Sequence, residues 1–145
     1  MEKLKIMLDA NAVMPERAHD ADAGLDLKTP YDIAIGGFTP ANGCGKAIIN
    51  TGVHVAIPEG YVGMLTSKSG LNVKHDITGT GTIDAGYTGS IMVKLYNHGT
   101  EEHHFKRGDK IIQLVIHPIE TPELEVVDSL EETERGGNGF GSSGK

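Results

Sequence analysis

"KAIINTGVHVAIPEGYVGML", residues Lys46 to Leu65, decides the fold class. Val53, Val55 and Ile57 alternate with His54 and Ala56, the pattern breaks at Pro58-Glu59-Gly60, and an apolar run resumes through Tyr61, Val62, Met64 and Leu65. A period of two lines one face of a strand, and proline with glycine marks a turn, so the stretch predicts a hairpin. The same grammar repeats outward. In "GSIMVKLYNHG", Ile91, Val93 and Leu95 fall on one face and Met92, Lys94 and Tyr96 on the other. "DKIIQLVIHP" is an apolar run closed by Pro118, two further strands are expected after it, and "MEKLKIMLDA" alternates Leu4, Ile6 and Leu8 with Lys3 and Lys5. Apolar residues nowhere recur at helical spacing for three turns; only Ser69 to His75 suits a short helix. Short strands, turns at Gly36-Gly37, Asn42-Gly43 and Arg107-Gly108-Asp109, and the lack of an internal repeat predict an all-β sandwich or barrel of jelly-roll type.

Composition narrows the class of function. At 145 residues the chain suits one domain, with 1–134 as the folded body and 135–145 as a glycine-rich arm. The net charge of −7 is uneven: Glu120 to Glu134 carries seven acids and no Lys or Arg, which leaves thirteen acids against thirteen bases elsewhere. No basic stripe exists to grip a nucleic-acid backbone, and no apolar run is long enough to cross a membrane. The start reads as a strand rather than a signal peptide. Cys44 stands alone, so the natural compartment is a reducing cytoplasm.

Four stretches could carry chemistry. The tail "RGGNGFGSSGK", Arg135 to Lys145, matches both GxGxxG and GxxxxGK. Both motifs need an apolar strand before the glycines and a helix after them. Acids precede these, and nothing helical follows, so the matches are spurious; Phe140 is the one feature that a purely solvating tail would not need. In "GTGTIDAGYTGSIMVKLYN", Asp84 and Tyr87 share a turn flanked by Gly79, Gly81, Gly86 and Gly89, where backbone can approach a flat ligand, although a plain hairpin turn has the same pattern. "TSKSGL" offers Ser67, Lys68 and Ser69 to phosphate oxygens. "HDADAGLDL" sets Asp26 between Leu25 and Leu27, where a carboxylate needs a partner or a metal. Its acids do not have calcium-loop spacing, and His98, His103 and His104 lack the paired spacing of a zinc site.

Taken in order, these pieces resemble the five motifs of the trimeric dUTP pyrophosphatase (dUTPase) family: "ADAGLDL", "SKSGL", "GTIDAGYTGSI", "RGDKIIQLVI" and "RGGNGFGSSG". The resemblance spans nearly the whole chain and includes phage-type members. It implies a distorted jelly-roll β-barrel, a homotrimer with shared sites, and an arm that closes over an active site, usually a neighbour's. It implies Mg²⁺-dependent hydrolysis of dUTP to dUMP and pyrophosphate, with Asp84 as the general base that activates water toward the α-phosphorus. Tyr87 would lie under the deoxyribose and exclude a 2′-hydroxyl, and the Gly79 to Asp84 backbone, including Gly81 and Ile83, would read uracil. Lys68, Ser69, Gly70, Gln113 and Arg135 would contact phosphates, with Ser142, Ser143 and Gly141 in the closed arm and Phe140 stacked on the base. Thr78 and Met92 would complete the nucleoside pocket. Magnesium would be held mainly by phosphate oxygens and water, with Asp26 contributing at most through water.

The family usually has Tyr at the position of Leu25, Arg at Lys68 and, in many members, Asn at Thr78. Lys supplies a point charge in place of a bidentate fork, and Thr78 shifts base recognition toward backbone. The nearest alternative is dCTP deaminase, which is similar in fold and has an "IDPG(W/F)xG" segment that this chain's "IDAGYTG" resembles. That reaction needs a Glu in the following strand, where this chain has Lys94, and Lys cannot serve as the carboxylate at neutral pH. A third reading follows phage-type dUTPases that resemble regulators of repressor proteins. It would make Glu120 to Glu134 a partner surface, against the favoured reading of an acidic linker to the arm.

Overall fold

The computed structural model describes residues 3–139. Ten strands and one helix follow in order: β1 (Lys5–Leu8), β2 (Leu25–Lys28), β3 (Ile33–Ile35), β4 (Gly45–Asn50), β5 (Val53–Ala56), β6 (Tyr61–Thr66), α1 (Ser69–His75), β7 (Ile77–Ile83), β8 (Met92–Asn97), β9 (His103–Phe105) and β10 (Lys110–Pro118). β2-β10-β6-β7-β8-β4 form one six-stranded antiparallel sheet, and β1-β5 and β3-β9 form two small sheets. The main sheet curls on itself around a core of Leu27, Ile49, Leu65, Ile77, Ile112 and Leu114, giving the distorted jelly roll that the strand pattern predicts.

Burial follows the sequence periods closely. In β8, Val93 and Leu95 are buried and Met92 and Lys94 exposed, the alternation of a strand with one wet face. β6 and β10 lie inside the sheet with partners on both sides, so their buried positions run together. α1 begins after Lys68, which has extended φ and ψ, and stops at Asp76, whose left-handed φ of 54° lets its N–H reach the Asn72 carbonyl at 3.1 Å.

Two strand expectations need correction. β5 and β6 are not a hairpin: β5 pairs with β1, Met7 opposite His54, while β6 pairs with β7 and β10. The turn at Pro58 is real, with Tyr61 N–H on the Pro58 carbonyl at 3.2 Å and Gly60 at φ +80°, but it carries the chain from one layer to the other. Ile57 at that corner is buried over Gly63, where an added Cβ would sit 2.6 Å from Ile57 Cδ1 and 2.8 Å from Leu114 Cδ1. That close packing of layers replaces edge-to-edge pairing. Nor do further strands follow Pro118 among the described residues. Leu124, Val126 and Leu130 are 96%, 98% and 86% exposed, so this segment has no apolar face of the chain to cover it.

Candidate active site

Strand register lines up Asp26 on β2, Gln113 on β10, Thr66 on β6 and Thr80 on β7 as a row of neighbours across the sheet. At the end of that row the chain leaves β6 through Ser67 and Lys68 into α1. Ser67 Oγ accepts from Gly79 N–H and donates to the Gly79 carbonyl, both at 3.0 Å, and Gln113 Nε2 donates to the Ser67 carbonyl at 3.2 Å. These bonds fix the backbone that presents Lys68, Ser69 and Gly70. Ser69 and Gly70 themselves are exposed. Gly24 lies so close to the Gln113 side chain that a Cβ there would overlap its amide.

Asp26 is the buried charge that its apolar flanks announce, and its partners are ammonium groups. Lys68 Nζ meets one carboxylate oxygen at 2.5 Å and Lys110 Nζ the other at 3.0 Å; Lys110 also reaches Glu16 at 3.2 Å, and Glu16 holds Lys28 at 3.0 Å. Burial pushes the Asp26 carboxyl up, but the Lys68 and Lys110 hydrogen bonds outweigh it and hold the pKa below its ordinary 3.8. Glu16 is lowered by the Lys28 and Lys110 hydrogen bonds, and Lys110 is raised by those to Asp26 and Glu16. The outcome is a partly buried chain of alternating charge beside the row of polar side chains. Sequence reading missed Lys110 and Glu16; the signal was a lone cation opening an apolar strand opposite Asp26's own strand.

Asp84 and Tyr87 sit at the far end of β7, past Ile83, which pairs with Gly63. Tyr87 N–H closes the turn on the Asp84 carbonyl at 3.2 Å, and Gly86 takes φ +84°, a conformation that favours glycine. The Tyr87 hydroxyl donates to the Ser90 carbonyl at 3.0 Å, and the ring lies so tightly on Gly89 that a Cβ there would be 2.6 Å from its Cζ. Ser90 Oγ in turn donates to Asn50 Oδ1 at 2.5 Å and accepts from Gly52 N–H at 3.0 Å. Asp84 is exposed and makes no ion pair among the described residues.

The other predicted positions scatter. Thr78 Oγ1 lies 2.8 Å from His98 Nε2, whose other ring nitrogen is 3.2 Å from Cys44 Sγ. Met92 is exposed at the start of β8, and Arg135 Nε donates to the Asn138 carbonyl at 3.2 Å on an exposed segment. Phe140, Gly141, Ser142 and Ser143 lie outside the described residues. Within one chain, then, the Lys68–Gln113 group and the Asp84–Tyr87 turn stand apart. Ser67 and Gly79 share one end of the sheet, and from Gly79 to Asp84 is five residues of strand, about 16 Å.

Comparison with known proteins gives one answer. A family model described as dUTPase matches residues 10–144. The chain is 43% identical over 141 residues to the deoxyuridine 5'-triphosphate nucleotidohydrolase of Mus musculus, covering 97% of this chain and 83% of that one. Among solved structures it is similar to a Staphylococcus bacteriophage 80alpha dUTPase mutant with dUpNHpp, at a TM-score of 0.88 and 36% identity over 100% of both chains. It is also similar to a mutant dUTPase from phage phi11 of S. aureus described with a structural Mg(II) ion, at a TM-score of 0.78 and 35% identity, covering 90% of this chain and 99% of that one. No helix among the described residues is long and apolar enough to cross a membrane.

Proposed function

Because the chain belongs to the dUTPase family, we propose that it converts dUTP to dUMP and pyrophosphate by attack of water on the α-phosphorus. The observation that carries the reading is the turn itself: an exposed carboxylate one residue past a glycine-rich strand, three residues before a tyrosine held flat on a glycine. Asp84 takes the proton of the attacking water. Its freedom from cationic partners among the described residues leaves it a hydrogen-bond acceptor for that water. Tyr87 is pinned by its hydroxyl and by Gly89, so its exposed ring face packs under the sugar and leaves no space for a 2′-hydroxyl. Gly81 and Ile83 present backbone groups to the uracil edge, beside Met92; Gly79 and Thr78, bonded to Ser67 and His98, stand farther along β7. Lys68, Ser69, Gly70 and Gln113 bind the phosphates, and Arg135, Phe140, Gly141, Ser142 and Ser143 close over the nucleotide.

A base must lie within a hydrogen bond, or one water, of the atoms it serves. Gly79, bonded to Ser67 beside Lys68, stands about 16 Å of extended strand from Asp84 in one chain, which favours a site built from more than one copy. We therefore infer a homotrimer, in which the turn of one copy faces the Lys68–Gln113 row of another. Magnesium fits as a companion of the triphosphate, since both Asp26 oxygens already carry ammonium groups and only a water-mediated contact leaves those pairs intact. When bound, it neutralises charge on the phosphates. The deaminase alternative lacks its carboxylate: Lys94 is exposed, with its Nζ 5.2 Å over the Tyr96 ring.

The test is pyrophosphate release from dUTP, dCTP, UTP and dTTP, with and without magnesium. Selective, magnesium-dependent turnover of dUTP is expected, and ammonia release from dCTP at a comparable rate overturns the assignment. Light scattering at micromolar concentration tests the assembly; a mass near the chain's own 15.4 kDa refutes the trimer.

A further inference from the structure

His54 occupies a position in β5 where alternation calls for a solvent-facing residue, yet its side chain is only 17% exposed. Its ring spans two segments. Nδ1 lies 2.8 Å from the carbonyl oxygen of Thr88, the residue after Tyr87, and Nε2 lies 3.1 Å from Oδ1 of Asp9, just past β1. A carbonyl and a carboxylate are both acceptors. A neutral imidazole has one N–H and can satisfy one of them; only the imidazolium donates to both.

We propose that His54 is a positioning residue whose imidazolium clamps the Asp84–Thr88 turn to the end of β1, so that the orientation of Tyr87 against the sugar depends on the protonation of this ring. The inference rests on the proposed function of that turn. The turn is also held by Tyr87 N–H on the Asp84 carbonyl, by the Tyr87 hydroxyl on the Ser90 carbonyl, by Ser90 Oγ with Asn50 and Gly52, and by Ile91 N–H on the Val53 carbonyl at 2.8 Å. Among the described residues, His54 supplies the one side-chain tie from β5 to the backbone next to Tyr87.

The titratable groups placed beside the ring are Asp9, on Nε2, and Lys5, which lines the same surface pocket as His54 and Thr88. The Thr88 carbonyl raises the His54 pKa above its ordinary 6.5, desolvation opposes it, and Asp9 raises it further. A raised imidazole pKa means that the clamp is complete below about 6.5 and is lost as pH rises through the folded value.

Two measurements decide it. In the isotope-labelled protein, the His54 ring and the Asp84 to Thr88 amides should titrate together by NMR. The amide titration should vanish in His54→Gln, while Asp9→Asn should move ring and amides together to lower pH. In steady-state kinetics, the wild-type KM for dUTP should rise about threefold to tenfold across that titration, the range for one lost hydrogen bond. In His54→Gln it should lack this His54-dependent rise, with kcat changing less than KM. A ring that is already neutral at pH 6.5, or amides whose titration persists in His54→Gln, overturns the clamp. If wild-type protein fails to hydrolyse dUTP, the functional reading falls, and the NMR coupling still decides whether the clamp exists.

Discussion

At one end of β7, Ser67 exchanges two hydrogen bonds with Gly79 and the nearby Asp26 carries an ammonium on each oxygen; at the other end, Asp84 stands exposed without an ion pair among the described residues. The difference lies in the chemistry each end must leave available. A phosphate site gains from cations fixed before the ligand arrives, and partly buried carboxylates fix them at little cost in net charge. The turn that carries Asp84, the proposed base, is held through Tyr87, Ser90 and His54 instead, which leaves the carboxylate's lone pairs free. The acidic balance of the chain thus does not count against the proposed phosphate site: the carboxylates at that end are already paired with Lys68, Lys110 and Lys28.

The contrast breaks most sharply at the base. Asp84→Asn should lower turnover by about two to four orders of magnitude while dUTP affinity is kept, because it removes proton transfer and leaves the turn's anchors alone. Rapid-quench turnover beside equilibrium binding checks it, and near-normal turnover removes Asp84 from the role. Removing Arg135 to Lys145 is the next largest change. Turnover should drop more than about tenfold, with nucleotide binding affected less, because closure aligns the reacting atoms and excludes water. Circular dichroism and scattering mass should match the intact protein, and turnover within about threefold of the intact rate would show that the arm plays no part.

At the paired end the expected effect is on stability. Asp26→Asn leaves Lys68 and Lys110 facing a neutral amide and should cost about 1–3 kcal/mol at pH 7 in chemical denaturation. The sign with pH follows from the lowered Asp26 pKa: its contribution is complete above about 4 and is lost as pH falls through the folded value. The gap between variant and wild type should therefore narrow below pH 4; a constant gap down to pH 2 would mean that the carboxylate's charge is not what stabilises. The smallest effect belongs to Gly24→Ala, whose Cβ pushes the flexible Gln113 amide off the Ser67 carbonyl. KM for dUTP should rise about twofold to fivefold, one weakened hydrogen bond, with turnover nearly unchanged.

Fold class was legible because it rests on local periods: the alternation of Ile91 to Tyr96 and the single short helix Ser69–His75 appear as read. Pairing was less legible. Pro58 to Gly60 has every local mark of a hairpin turn, and the choice between pairing β5 with β6 or sending them to different layers depends on Ile57 meeting Gly63 and on β1 and β10, remote in sequence. At the site, Asp26's need for a partner could be read from its apolar flanks, but that Lys110 answers it beside Lys68 depends on the β2–β10 register. His54 gave no local signal, since a half-wet strand accepts histidine on its outer face; only the fold brings Thr88 and Asp9 to its two nitrogens.

The register that sets Asp26 opposite Gln113 joins one of the first strands of the chain to the last. While the protein is being synthesised, β6 waits with an unpartnered apolar edge, and β2 has no place in the main sheet, until β10 leaves the ribosome. The Lys110 that completes the Asp26 pair arrives on that same strand. The proposed phosphate site is therefore complete only once β10 has emerged, so on that reading nucleotide does not template the earlier steps of folding and acts on a sheet that has already assembled.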